Sequence, residues 1–123
     1  MENQTELHEQ VSGQWQKYKK LMPNIAESYQ KLPEEVYRTG AIDAKTKRLM
    51  AMTAATVHGC RACILYQTEE ALKLGATVEE ILECIGVAVS LGGTMAEGES
   101  TRLIGFLEEK GLISELLTYR KSI

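Results

Sequence analysis

Two cysteines three residues apart, Cys60 and Cys63, are the residues of this chain best suited to chemistry. On an α-helix such residues lie about 60° apart around the axis and roughly 5 Å along it, so the two thiols share a face and can close a disulfide near a helix terminus. Gly59 stands directly before them, which indicates that a helix begins there. Unpaired N–H groups and the helix dipole at such a terminus stabilise the thiolate, the reactive form of cysteine. The spacing therefore predicts a reversible dithiol–disulfide couple.

Two other interpretations of the cysteines stay open at this stage. Free cysteines are often buried as small hydrophobic residues. A metal site is the second, since His58, Cys60, Cys63 and Cys84 could supply four ligands. Structural zinc normally uses two well-spaced ligand pairs, however, and the second pair is missing here. Cys84 lies in an apolar segment and is more typical of a core residue than of a ligand. We expect neither a bound metal nor a cofactor.

Composition narrows the classes of protein to consider. The chain has 123 residues, of which 44% are hydrophobic and 25% charged, which is typical of one folded globular domain. A formal net charge of -3 gives no basic field, so we expect no nucleic-acid partner. The polar N-terminus has no signal sequence, and no run approaches the roughly 18 apolar residues of a membrane span. Three cysteines are also too few for a secreted disulfide scaffold, so we expect a cytoplasmic protein without a membrane partner.

The elements that position the cysteines are all predicted to be helices. Apolar residues at helical spacing predict a helix from Leu7 to Met22, which Pro23 interrupts. A second short helix is predicted over residues 25–32, and a new helical turn with Pro33 at its first position. No segment alternates with period two between turn dipeptides, so we expect an all-α fold. This disfavours a thioredoxin fold despite the cysteine pair.

Local signals place the later boundaries. Asp43 is the predicted N-cap of a helix over residues 44–57, and Thr77 to Glu80 form a predicted capping box that opens an apolar helix. The other predicted boundaries are glycines: Gly40, Gly59, Gly75, Gly92, Gly93 and Gly111. A last long helix is expected from about Met95, and the tail from Ser114 to Ile123 can add a short one. The apolar helix has more apolar surface than a small bundle consumes, which predicts a homo-oligomer.

The segment from Ile42 to Gly93 resembles the carboxymuconolactone decarboxylase family, and specifically its alkylhydroperoxidase AhpD-like branch. The likeness lies in the order Gly-x-x-Asp-x-Lys-Thr, a buried helix, Gly-Cys-x-x-Cys, a helix that closes with Lys-x-Gly-Ala, and an apolar helix that ends in Gly-Gly. The resemblance implies an all-α AhpD-like helical bundle. The chain is then a single domain over residues 1–123, with its core at residues 23–111.

The resemblance also implies an activity and partners. It implies a thiol–disulfide oxidoreductase or weak peroxide-reducing protein, in which Cys63 attacks the peroxide and Cys60 resolves the product as a disulfide. An external dithiol protein would then recharge the pair. The family further implies a homo-oligomer, a hexamer or trimer, with the cysteine helix near a subunit interface. The dipole argument alone favours the more N-terminal Cys60 as the nucleophile, so which thiol attacks stays open.

The chain departs from the family's pattern at two positions. The AhpD-like site has a histidine four residues after the second cysteine, where this chain has Gln67, and a glutamate twelve residues before the first, where it has Arg48. Glutamine cannot take up a thiol proton and arginine stays charged. Arg48 could instead stabilise a thiolate, and His58 could supply the missing base. Two alternatives follow: a decarboxylase or isomerase of the family's other branch, which needs a pocket histidine, and a non-catalytic oligomeric redox sensor.

Overall fold

The computed structural model describes the backbone of residues 1–121 and the side chains of residues 1–118. The described chain is one all-α domain of six helices, 82% helical and without a strand in this range. The helices are α1 (Gln4–Leu21), α2 (Pro23–Val36), α3 (Ala44–His58), α4 (Arg61–Lys73), α5 (Val78–Glu109) and α6 (Ser114–Lys121). The predicted fold class is confirmed, and the last two residues of the predicted tail helix lie outside the described residues.

Helix α3 begins and ends where the sequence predicts. The Oδ1 atom of Asp43 accepts the backbone N–H of Thr46 at 2.7 Å and so caps the first turn. Gly59 closes the helix with a φ of 77°, in the left-handed region that glycine adopts without strain. A hydrogen-bonded N-cap stabilises a helix by about 1 kcal/mol. This pair of caps fixes where the chain turns into the cysteine segment.

Helix α5 opens with the predicted capping box and breaks at the predicted glycines. The Thr77 hydroxyl accepts the Glu80 N–H, and the Glu80 carboxylate accepts the Thr77 N–H. Gly93 has φ 61° and ψ -142°, a backbone conformation restricted essentially to glycine, and the helix resumes at once on the other side of this kink. A Cβ on Gly92 would lie 2.6 Å from the Cβ of Ala96, so no side chain fits there either.

The prediction that a new helical turn begins at Pro33 is wrong. Helix α2 runs without interruption to Val36, and Pro33 lies inside it, while Pro23 occupies its first turn. Because Pro33 is in the last turn, its missing N–H and its ring disturb only the end of the helix. The backbone N–H of Tyr37 still donates to the Pro33 carbonyl at 3.0 Å and closes that turn. A proline followed by two acidic residues is therefore compatible both with the first turn of a helix and with the last turn of one, and the sequence pattern alone does not distinguish the two.

The core of the bundle lies between α3, α4 and α5. Met52, Ile64, Ile81 and Leu103 are fully buried in one contiguous apolar cluster. By length and composition alone, α5 could cross a membrane, but the core helix of a globular bundle passes the same test. Here the kink at Gly93 interrupts α5 midway. We interpret α5 as the central helix against which α3 and α4 pack.

Large apolar side chains remain exposed on two surfaces of the monomer. Ala26 is the only buried residue of α2, and one face of that helix forms an exposed stripe, the α2 stripe, of Ile25, Tyr29, Leu32 and Val36. On α5, Val87 and Leu91 are also exposed. Apolar side chains at these spacings lie on one side of a helix. Within the described chain these side chains are at least 45% exposed, although Tyr29 packs edge-on against Trp15 of α1.

Candidate functional site

The cysteine pair forms the first turn of α4. Cys60 is the N-cap of this helix, which begins at Arg61. Its Sγ accepts the backbone N–H of Cys63 at 3.3 Å. The two sulfurs are joined in a disulfide across a Cα–Cα distance of 5.2 Å. The short turn after Gly59 therefore brings both thiols to one helix terminus, as their spacing predicts.

The three cysteines differ in their surroundings. Cys63 is exposed and Cys60 is half-buried, so an external reagent reaches Cys63 more readily. Cys84 is a free cysteine on α5, half-buried and packed against the apolar core cluster. This position agrees with the interpretation of Cys84 as a core residue. Among the described residues, no group of three or more histidine, cysteine, aspartate or glutamate side chains could hold a metal ion.

Arg48 and Gln67, the two departures from the family's pattern, are in direct contact. Nη1 of Arg48 donates to Oε1 of Gln67 at 3.0 Å. The guanidinium of Arg48 lies over the ring of Tyr37 at 3.7 Å and 5.6 Å from the ring centre of Tyr66. Nε2 of Gln67 in turn donates to the Tyr37 hydroxyl at 3.3 Å. We call these four residues the arginine cluster.

The cluster joins three segments that are distant in the sequence. Arg48 comes from α3, Gln67 and Tyr66 from α4, and Tyr37 from the end of α2. A neighbouring lysine on α3, Lys47, fixes that end, because its Nζ donates to the carbonyl oxygens of Val36 at 2.9 Å and Arg38 at 2.7 Å. Helix C-termini leave carbonyls without partners, and a lysine is well suited to satisfy them.

Charge and burial act together on the Tyr66 hydroxyl. Burial raises the pKa of Tyr66 above its usual value of 10.0, and the Glu70 carboxylate acts in the same direction. The guanidinium of Arg48 opposes both effects. The phenol is therefore protonated at neutral pH and can donate a hydrogen bond, although Tyr66 itself is 42% exposed.

His58 lies apart from the cysteines' side of α4. Its exposed side chain lines an open groove of about 820 Å³ between α3 and α5, together with Met50, Val57, Cys84 and Leu91, whereas neither cysteine of the pair lines this groove. Within the described residues, His58 makes no hydrogen bond or ion pair. The other histidine, His8, packs edge-on against Phe106 with a ring distance of 6.0 Å.

The structure thus brings the predicted site residues into two groups. Cys60 and Cys63 form the redox turn, and Arg48 and Gln67 meet one helical turn further along α4, while His58 lies on the groove. Tyr37 and Tyr66 were missed by sequence reasoning. Tyr66 had a weak signal, because it follows Cys63 by three residues on the same helix. Tyr37 had none, since only the packing of α2 beside α3 carries it to Arg48.

Comparison with known families gives one match that spans most of the chain. A family model described as the carboxymuconolactone decarboxylase family matches residues 23–104. Among curated proteins, uncharacterised protein 4 of the cox locus of Paracoccus denitrificans is 33% identical over 86 residues, which are 70% of this chain and 78% of that protein. An uncharacterised protein of Cupriavidus necator is 30% identical over 58% of this chain and 63% of its own length.

Solved structures with the same fold are also similar in sequence. A carboxymuconolactone decarboxylase family protein from Legionella pneumophila superposes with a TM-score of 0.80 at 32% identity, over 88% of this chain and 97% of that one. A protein of the same family from Thermotoga maritima, described as having a possible involvement in antioxidative response, superposes with a TM-score of 0.76 at 30% identity. That alignment covers 88% of this chain and 92% of the Thermotoga chain.

Proposed function

Since the chain belongs to the carboxymuconolactone decarboxylase family, we propose that it is a thiol–disulfide oxidoreductase that also reduces peroxides slowly. The observation that carries the proposal is the redox turn. Cys60 and Cys63 are bonded to each other at the N-terminus of α4, and Cys63 is exposed to solvent. The possible antioxidative involvement of the Thermotoga relative supports the same chemistry. No step needs a bound cofactor or metal.

In the proposed reaction, the Cys63 thiolate attacks the terminal peroxide oxygen. The O–O bond breaks, Cys63 becomes a sulfenic acid, and the leaving alkoxide takes a proton from water to become the alcohol. Cys60 then attacks the Cys63 sulfur, and water leaves as the disulfide forms. An external dithiol protein reduces the disulfide and is itself oxidised. Exposure supports Cys63 as the sulfur that meets both the peroxide and the external thiol.

The N-terminus of α4 supports the return step. When an external thiolate attacks Cys63, Cys60 must leave as a thiolate. The backbone N–H of Cys63 already points at the Cys60 sulfur at 3.3 Å, and the positive end of the helix lies there too. Both interactions stabilise the leaving thiolate and so favour reduction of the pair.

Proton handling limits the peroxide step in this proposal. Gln67 occupies the position of the family's histidine and cannot act as a base, and Arg48 occupies that of the glutamate. The contact between them supports the view that these two positions work together. Arg48 supplies a fixed positive charge near the thiol in place of a proton acceptor. His58 is a weaker candidate for the base, because it lies on the groove, which neither cysteine of the pair lines.

The decarboxylase or isomerase alternative has less support. This alternative needs a pocket histidine, and His58 does line the groove, but an acidic ring substrate also needs a cation, and no lysine or arginine lines that groove. The redox sensor alternative differs from an enzyme only in turnover. A sensor would be oxidised once by peroxide and would not cycle with excess dithiol.

Peroxide consumption with excess dithiol tests the proposal. We expect continuous turnover in the native protein and a rate at the buffer background in Cys63→Ser, because the remaining thiol of the redox turn, Cys60, has no partner with which to form the disulfide. Cys84→Ser is the matched control, since it removes a thiol from the core and should retain the native rate. A native rate in Cys63→Ser would refute the proposal. One stoichiometric oxidation without turnover would favour the sensor.

We also propose that the protein works as a homo-oligomer, a hexamer or trimer, in the cytoplasm. The α2 stripe and the apolar residues Val87 and Leu91 of α5 lie exposed on the monomer, and surfaces of this kind mark contacts between chains. Light scattering at micromolar concentration should give a multiple of the chain mass. A monomeric mass would contradict this.

A further inference from the structure

Arg48 differs from the other arginines whose side chains the structure describes. Each of the others has a glutamate partner: Arg38 pairs with Glu35 at 2.9 Å, Arg102 with Glu2 at 2.8 Å, and Arg61 with Glu2 at 3.4 Å. Within residues 1–118, no carboxylate oxygen lies within 4.0 Å of the Arg48 guanidinium. A half-buried guanidinium normally gains a carboxylate partner, so this one is available to an anion from outside.

The guanidinium of Arg48 is also held in one orientation. It stacks on Tyr37 at 3.7 Å and donates to Gln67 at 3.0 Å, and Gln67 donates to the Tyr37 hydroxyl, which closes a three-membered ring of contacts. One of its five N–H groups donates to Gln67, and the guanidinium also interacts with the Tyr66 hydroxyl. The remaining donors form a rigid fork of the kind that binds a carboxylate with two parallel hydrogen bonds.

The fork is anchored one helical turn beyond Cys63 on α4. Gln67, which Arg48 contacts, follows Cys63 by four residues on α4, so it is one turn and about 6 Å further along the helix. Tyr66 flanks the guanidinium, and its hydroxyl interacts with both Arg48 and the Glu70 carboxylate. Glu70 makes no direct ion pair with Arg48, and its carboxylate lies 4.0 Å from the ammonium of Lys73 on the same helix.

We propose that Arg48 binds a carboxylate on the oxidant, so that this protein prefers organic disulfides or hydroperoxides with a carboxylate about one helical turn from the reactive bond. The proposal rests on the proposed function, since it requires the oxidant to react at Cys63. Arg48 acts in it as a specificity-determining residue. It replaces the family's glutamate, which would repel the same group.

The reaction with such a disulfide balances without any further reagent. The Cys63 thiolate attacks one sulfur of the substrate, the S–S bond breaks, and the first substrate thiolate leaves. The Cys60 thiolate then attacks the Cys63 sulfur of the mixed disulfide, and the second substrate thiolate leaves. The Cys60–Cys63 disulfide remains, two electrons have passed to the substrate, and the protons of the two protein thiols go to solvent.

Two aromatic disulfides of opposite character test the proposal. Fully reduced protein is mixed with 5,5′-dithiobis(2-nitrobenzoate), which carries two carboxylates, or with uncharged 4,4′-dithiodipyridine, and the released thiols are followed by absorbance. The ratio of the two rate constants is compared between variants. A change in thiol reactivity alone alters both rates alike and cancels from the ratio. We expect Arg48→Met to lower the ratio about tenfold, the value of one charge-assisted contact.

Three further variants sharpen the test. Arg48→Lys keeps the charge without the fork and should lower the ratio about threefold, which also covers a failure of Arg48→Met to fold. Arg38→Met removes the same charge from an exposed site and should leave the ratio unchanged. Arg61→Met removes the charge between the two cysteines. An unchanged ratio in both Arg48 variants, or a larger fall in Arg61→Met than in Arg48→Met, would overturn the proposal.

These outcomes are separate from those of the proposed function. The disulfide probes react with the thiols once and need no turnover. If the native protein fails to consume peroxide but the ratio depends on Arg48, the peroxide activity is refuted and the carboxylate subsite stands. If peroxide is consumed but the ratio of the two rate constants does not change in the Arg48 variants, the carboxylate subsite is refuted and the peroxide activity stands.

Discussion

The N-termini of α4 and α5 are built on the same plan with different atoms. At α5, the Thr77 hydroxyl accepts the Glu80 N–H at 3.1 Å, and the Glu80 carboxylate accepts the Thr77 N–H at 2.9 Å. The same carboxylate pairs with Lys45 at 3.0 Å. At α4, the same cap position holds Cys60, whose sulfur accepts the Cys63 N–H at 3.3 Å. Sulfur is a weak acceptor, so α4 has the weaker cap.

The difference shows how one element of a fold can serve stability or chemistry. At α5, two reciprocal hydrogen bonds and an ion pair satisfy the terminus, and nothing there is left to react. At α4, the N–H groups are left to stabilise a thiolate, and the cap is itself the resolving thiol of the proposed reaction. Substitutions at α4 should therefore change rates, and those at α5 should change stability.

The largest gain in rate is expected at Gln67, one turn beyond Cys63. Gln67→His would supply a base whose pKa lies near the working pH. A positioned base typically raises a rate by roughly 10²-fold or more, but the positive charge of Arg48 nearby disfavours the protonated imidazole, so we expect a gain on the order of tenfold. The rate is measured with peroxide in excess over protein and with excess dithiol, across pH 6 to 9.

A Cys63→Ser background controls this measurement, since any gain there would come from the imidazole alone. An unchanged rate in Gln67→His, with the oligomer intact, would show that the missing histidine does not limit the reaction. That result would favour the redox sensor over the peroxide-reducing enzyme.

At α5, the expected effect is on stability. Thr77→Ala removes the hydroxyl that caps the helix and should lower the free energy of unfolding by about 1 kcal/mol, measured by urea denaturation at fixed protomer concentration. Ser90→Ala is the control, because that hydroxyl bonds only to the Val87 carbonyl within the same helix. Peroxide turnover should be unchanged in both variants. A loss of turnover in Thr77→Ala would contradict the assignment of the α5 terminus to stability alone.

The same terminus should contribute to acid sensitivity. The backbone N–H of Thr77, followed by Lys45, lowers the pKa of Glu80 below its ordinary 4.5. A carboxyl group whose pKa is lowered on folding stabilises the protein above the unfolded pKa, and this stability is lost as the pH falls through the lower folded value. Glu80→Gln should therefore lose less stability than the native protein between pH 5 and pH 3. Glu79→Gln, which removes a carboxylate of the same turn without touching the capping box, is the matched control.

Local signals explain which parts of the fold could be predicted from the sequence. The caps at Asp43 and Thr77 and the break at Gly93 depend on residues within a few positions of each other, and all three were predicted. The proline at position 33 was misplaced because its neighbours fit a helix start, whereas the continuity of α2 depends on its whole length.

The candidate site divides in the same way. The redox turn was predicted, because two cysteines three apart need only one helix to meet. The departures at Arg48 and Gln67 were recognised one by one, but their contact was not, since it joins residues nineteen apart on different helices. Tyr37 enters the site only through the packing of α2, and no pattern in the sequence indicates that.

The smallest effect on stability is expected at the cap of α4 itself, and there stability and turnover should change in opposite directions. Serine is among the best N-cap residues, and its oxygen accepts an N–H more strongly than sulfur does. In fully reduced protein, Cys60→Ser should therefore raise the free energy of unfolding by about 0.5 kcal/mol over the reduced native protein. The same variant can form no intramolecular disulfide in the redox turn and should lose turnover. Urea denaturation with excess reductant measures the first effect, and peroxide consumption measures the second. A loss of about 1 kcal/mol or more in Cys60→Ser would show that the sulfur has a structural role beyond the cap, and the contrast between the two helix termini would fail.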